Sequence, residues 1–146
     1  MYALISNQTP EKDEELAVNL YQKLAACARI LRSRSAAGSF FLGKQLSVAD
    51  IAIVPFLDRF EVTMPFYRGF ELLPVAELPE LVPLQQLLHA CRERPAFNRA
   101  SQSREFYIGA YRSYAARRGA SRPMGRAVAA YAAAAAGHRA AGRPRL

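Results

Sequence analysis

Ser47-Val48-Ala49-Asp50 stands at the mouth of an apolar run, and this arrangement predicts where a helix begins. In an S-x-x-acid pattern the Ser47 hydroxyl accepts from the backbone N–H of residue 50. The Asp50 carboxylate then reaches back to the N–H of residue 47. Leu46 and Ile51 occupy the two positions of a hydrophobic staple around the same start. Downstream, Ile51, Ile53, Val54, Phe56, Leu57, Phe60 and Val62 put apolar side chains nearly all round a helix running to about Met64. Such a helix belongs in the middle of a bundle. Pro55 inside it removes one backbone hydrogen bond and is expected to bend it.

The flanking segments supply further helices. Met1 to Asn7 reads as a short piece of helix. Thr9-Pro10 suits a helix start, and Glu11, Asp13, Glu14 and Glu15 place negative charge in the first turns, where the helix dipole favours it. Leu16, Leu20, Leu24, Cys27 and Leu31 then recur at spacings of three and four, one stripe on a long helix that closes with Arg29, Arg32 and Arg34. After a small-residue loop at 35–39, Gly43 closes a Phe-Phe-Leu-Gly turn. Phe66 to Phe70 reads as a connection. Pro79 opens the next helix, with Leu81, Leu84, Leu88 and Cys91 on one face, and Arg94-Pro95-Ala96-Phe97 ends it. Ser101 or Ser103 caps a final helix on which Tyr107, Tyr111 and Tyr114 share a face. No segment alternates with period two. The expectation is an all-α bundle of about five helices.

Charge divides the chain in two. Residues 1–116 carry thirteen Lys and Arg against twelve Asp and Glu, whereas residues 117–146 carry seven Arg and no acid. The second segment is rich in Ala, Arg and Gly, has neither Ile nor Phe, and includes five consecutive alanines at 132–136. Alanine favours a transient helix around 127–136. With little to dock it, residues 117–146 read as a low-complexity, mostly disordered basic tail beside a domain at 1–116. No apolar stretch predicts a membrane span, and no basic-plus-apolar leader opens the sequence, so a cytoplasmic protein is expected. Two cysteines, Cys27 and Cys91, make no disulfide framework and no metal spacing. His89 has no Cys or His at ligand spacing.

Phe40-Phe41-Leu42-Gly43, Ser47-x-x-Asp50, Pro55-Phe56-Leu57, Pro79-x-Leu81 and Arg94-Pro95-Ala96-Phe97 occur in an order that resembles the C-terminal helical domain of glutathione transferases. The phrase Asp50-Ile51-Ala52-x-x-Pro55-Phe56-x-x-Arg59-Phe60 is most similar to the omega, lambda and dehydroascorbate-reductase branches. The resemblance spans roughly residues 1–116 and implies transferase or thiol-reductase ancestry. In that family a thioredoxin-like domain binds glutathione and supplies the catalytic group, and the chain begins without one. No catalytic residue is therefore assigned, and neither Cys27 nor Cys91 corresponds to the family's nucleophile. The helical domain there contributes a wall of the acceptor pocket and part of the dimer contact. By position, Tyr107, Tyr111 and Tyr114 are the substrate-pocket candidates, with simple core packing as the competing reading.

These observations imply a glutathione transferase-like protein inactive alone, with no cofactor or metal of its own and glutathione as the family's co-substrate. A small hydrophobic or thiol compound is the expected substrate, and a homodimer or protein partner is expected. The alternative is a protein-docking module of the kind found in translation-associated complexes. The arginine tail by itself supports only weak, salt-sensitive polyanion binding.

Overall fold

The computed structural model describes residues 1–34, 38–116 and 125–141. Among them are seven α-helices: α1 (Tyr2–Ile5), α2 (Asp13–Arg34), α3 (Val48–Arg68), α4 (Val82–Arg92), α5 (Pro95–Ala100), α6 (Arg104–Ala115) and α7 (Gly125–Ala141). Two 3₁₀ turns, Pro10–Lys12 and Pro79–Leu81, lead into α2 and α4. The described residues contain two isolated β-bridges and no strand. The chain is all-α.

Two helices organise the rest. α2 packs against α1, α4, α7 and the second 3₁₀ turn, while α3 packs against α1, α4 and α6. On α2 the predicted stripe is only part of the buried surface. Ala17, Tyr21, Ala25 and Ala28 are buried beside Leu20, Leu24 and Leu31, whereas Leu16 and Cys27 are half-buried. The wider arc follows from the number of neighbours, which periodicity read from one helix does not reveal.

α3 departs from expectation in two ways. It runs past Pro65 to Arg68 and stops at Gly69, whose φ of 58° is a left-handed conformation suited to glycine. It is also not enclosed. Val48 is 81% and Ile51 60% exposed, and Phe56 and Phe66 are exposed too. The one-turn helix α1 covers Phe60, so the outer face toward the α3 start stays open.

The expectation that nothing in the basic tail docks is corrected for residues 125–141. There α7 lies along α2, burying Ala127 and Tyr131, with Val128, Ala132 and Ala135 packed at the margin. The Tyr131 ring sits 5.8 Å from that of Tyr21, which in turn stacks on Phe70 at 4.8 Å. Tyr131 supplies the aromatic part of this contact. Residues 117–124 and 142–146, the remainder of that tail, lie outside the described residues.

Candidate functional site

The start of α3 is built as a closed hydrogen-bond unit. Asp50 N–H donates to Ser47 Oγ at 3.4 Å, and Ser47 N–H donates to Asp50 Oδ2 at 2.7 Å. Ser47 Oγ–H also donates to Asp50 Oδ2 at 2.6 Å, and Phe41 N–H to Asp50 Oδ1 at 3.0 Å. Asp50 therefore ties the preceding turn to the helix while being completely buried. That turn is closed by Phe40 N–H to Gly43 O at 3.0 Å and Gly43 N–H to Phe40 O at 2.9 Å. A side chain at Gly38 would meet Gly43 O at 2.4 Å, so glycine is required there. Leu46 and Ile51 both remain exposed, and the hydrogen bonds rather than the staple orient the helix start.

The three tyrosines of α6 separate into different environments. Ser103 Oγ caps α6 by accepting from Phe106 N–H at 3.2 Å, and this sets the rotation of the tyrosine stripe. Tyr111 is buried, with its hydroxyl 2.8 Å from the Tyr2 hydroxyl, its ring stacked on Tyr2 at 6.0 Å and T-shaped against Phe60 at 5.4 Å. Tyr114 is 56% exposed and leans on Tyr111 at 5.9 Å. Tyr107 faces a polar junction instead. Its hydroxyl donates to Asp58 Oδ2 at 3.1 Å and accepts from Gln102 N–H at 3.1 Å.

Asp58 joins three helices. Arg92 of α4 reaches Asp58 Oδ1 through Nε at 3.0 Å and Nη2 at 2.7 Å, and the same Nη2 reaches Glu61 Oε2 at 2.6 Å. Burial works against the charged guanidinium, but the Asp58 and Glu61 carboxylates outweigh it and raise the Arg92 pKa. The Asp58–Glu61 face of α3 is thus a helix-pairing face. His89 pairs with Glu93 at 3.4 Å on the exposed side of α4.

Arg59, next to Asp58 in sequence, belongs instead to the aromatic surface. Its guanidinium lies 5.1 Å from the Phe56 ring centroid and its Nε donates to Pro55 O at 2.8 Å. The Tyr111 phenol raises the Arg59 pKa, overcoming the opposing effect of burial, and Tyr2 adds to it. Burial, followed by the Tyr2 hydrogen bond, keeps the Tyr111 phenol protonated above its ordinary value, with Arg59 opposing. Two phenols, one guanidinium and the exposed rings of Phe56 and Tyr114 therefore converge where α1, α3 and α6 meet.

Arg68 holds that junction together. It is buried, and donates through Nε to Leu4 O at 3.3 Å, through Nη2 to Ile5 O and to Ala115 O at 3.1 Å, and through Nη1 to Tyr67 O at 3.1 Å. These carbonyls lie in the last turns of α1, α6 and α3, where the exposed carbonyl ends of the helices favour a cation. Tyr67 O–H also donates to Ile108 O. Position in sequence gives no hint of this role, because a lone Arg before a glycine reads as a surface residue.

Residues 2–99 match the family described as glutathione S-transferase, C-terminal domain. The chain belongs to that family. No curated protein matches the chain, and no solved structure does. Within this transferase-type domain the matched span contains Ser47, Asp50, Asp58, Arg59 and Arg68, while the α6 tyrosines lie beyond its end. Among the described residues no group of three or more His, Cys, Asp or Glu could hold a metal, and no helix is long and apolar enough to cross a membrane. Burial raises the pKa of both the half-buried Cys27 and the buried Cys91, with Asp50 adding to the effect at Cys91.

Proposed function

We propose that the chain forms the acceptor-substrate side of a glutathione transferase-type site, acting in the cytoplasm as a transferase or thiol reductase by descent. The observation that carries this reading is the Arg59 guanidinium beside the Tyr2 and Tyr111 phenols, rimmed by the exposed rings of Phe56 and Tyr114. The rings offer apolar contact to a small hydrophobic or thiol compound, and Arg59 attracts its electron-rich end. Tyr111 is mainly structural, Tyr114 is the contact residue, and Tyr107 positions α6 through Asp58. Glutathione and the group that activates its thiol would be supplied from outside this helical domain. Cys27 and Cys91, held as thiols, are not activated nucleophiles at neutral pH.

Purified protein is expected to show no glutathione-conjugating or thiol-transferase turnover, yet to bind an aromatic acceptor such as a dinitrobenzene derivative. Arg59→Gln and Tyr114→Ala should each weaken that binding, read by quenching of tyrosine fluorescence. Binding unchanged in both variants would remove the acceptor surface. Turnover that disappears in Cys27→Ser or Cys91→Ser would overturn the assignment of inactivity.

A docking role is the second reading, favoured by the exposed Val48 and Ile51 on the open face of α3. A second copy of the chain or a protein of a translation-associated complex would cover that face. Ile51→Glu should then abolish association while leaving aromatic binding intact.

A further inference from the structure

Arg29 and Arg32 are both exposed and stand three residues apart on α2, so they share one face of the helix. Both border α7, in company with Gln22 and with Glu80 of the second 3₁₀ turn. Among the described residues neither guanidinium has an ion-pair or hydrogen-bond partner, whereas Arg92 is paired with two carboxylates and Arg94 lies over the Phe40 ring. Glu80 opposes only one of the two charges. Glu71 and Glu77 act on Tyr21, eight residues or about 12 Å earlier along α2, which confines the positive face to the C-terminal half of the helix. α7 is itself drawn from a segment with seven arginines and no acid, and Arg126 and Arg139 fall within the helix. Packing of α7 along α2 therefore places an arginine-bearing helix beside the two arginines of the body.

We propose that this face of α2, with α7 beside it, binds the phosphate backbone of a nucleic acid without regard to base sequence. Guanidinium forks match phosphate oxygens in two-point hydrogen bonds, and arginines three apart on a helix can each take a phosphate of one strand. Two exposed arginines alone hold an anion weakly in water. The affinity therefore depends on α7 adding its own charge beside them, because a chain of phosphates meets several guanidiniums at once. An acidic protein fits the face less well. Protein interfaces draw most of their affinity from a few buried anchors rich in aromatic residues, and the exposed side chains here, Gln22, Arg29 and Arg32, are polar. Arg29 and Arg32 also suit the negative end of the α2 dipole. That contribution acts within the fold and gives no nucleic-acid affinity that varies with salt. The face is separate from the Arg59 surface, which is built from α1, α3 and α6, and α7 lies outside the residues that match the family.

The test is fluorescence-anisotropy titration of the full chain with labelled single-stranded RNA oligomers of two unrelated sequences, repeated over a range of salt. Arg29→Gln/Arg32→Gln should weaken both alike, roughly tenfold at about 0.1 M salt, and make the slope of log affinity against log salt shallower by roughly 1.4, about 0.7 for each lost phosphate contact. Glu80→Gln, which removes the opposing carboxylate, should tighten binding. Arg99→Gln/Arg104→Gln takes the same charge from exposed positions on α5 and α6 and should leave the slope unchanged. Surface substitutions of this kind change stability little, and thermal melts run in parallel establish that each variant is folded. An unchanged slope in the Arg29 and Arg32 variant, or an equal fall in the Arg99 and Arg104 variant, overturns the interface. Tighter binding of polyglutamate than of RNA at equal charge concentration overturns the nucleic-acid assignment in favour of an acidic protein. A preference of more than about tenfold between the two oligomers overturns the backbone reading, since phosphate contacts carry no sequence information.

Discussion

At the scale of single residues, Asp50 bears more of the structure than Ser47 does. Ser47→Ala removes one cap acceptor and should cost about 0.5–2 kcal/mol. Asp50→Ala removes the acceptor of the half-buried N–H groups of Ser47 and Phe41 as well as emptying a fully buried position, so its loss should be larger. Urea unfolding of both variants checks the order, and equal midpoints would show that the second layer of bonds to the turn contributes nothing. A pH prediction follows from the buried proton holders. Cys27, Cys91 and Tyr21 all keep their protons above their ordinary values in the fold, chiefly because burial penalises the charged form. The unfolded chain releases those protons first as pH rises. Their contribution to stability is therefore whole below pH 9 and declines as pH climbs through the ordinary thiol and phenol values toward the folded ones. Melting temperatures should fall between about pH 9 and 11, and a flat profile there would contradict the burial of these groups.

At the scale of elements, α7 is held to α2 along its length but mainly through small side chains. Among its described side chains Ala127 and Tyr131 are buried and Val128, Ala132 and Ala135 pack at the margin, so Tyr131 is the largest of them. Burying one aromatic side chain is worth on the order of 2 kcal/mol, less than the domain's central helices gain from their many contacts. Tyr131→Ala should accelerate amide hydrogen exchange throughout α7 while leaving protection in α3 unchanged. Unaltered exchange in α7 would mean that something other than the Tyr21–Tyr131 contact holds it. The same local logic explains α6, whose end is tied through Arg68 to α1 rather than by burial alone.

At the scale of the whole molecule, charge and packing are distributed differently. The body through residue 116 is nearly neutral, and the remaining thirty residues carry seven arginines. Any polyanion binding should depend on that segment and weaken steeply with salt as counterions are released. Truncation after Ala116 should abolish heparin or RNA binding. The truncated bundle should still fold, but melt a few degrees lower because Tyr21 loses its cover from Tyr131. Equal heparin affinity in the truncated and full chains at one salt concentration would disprove the partition.

What the sequence by itself determined is local. Caps, helical periodicity and the charge order along each helix depend on residues within one or two turns, and from these the all-α class and the starts of α3 and α6 could be read. The family was legible too, because its motifs lie in order along one stretch. Tertiary structure alone decided the rest. Tyr2 and Tyr111 are 109 residues apart yet share a hydrogen bond, Arg68 collects carbonyls from α1 and α6, and Arg59 turns toward phenols instead of joining Asp58 and Arg92. The docking of α7 was equally invisible, since an alanine-rich run carries strong helix propensity but little contrast between faces. Whether such a helix docks depends on the shape of the surface it meets, and that surface exists only once α2, the second 3₁₀ turn and Phe70 have assembled.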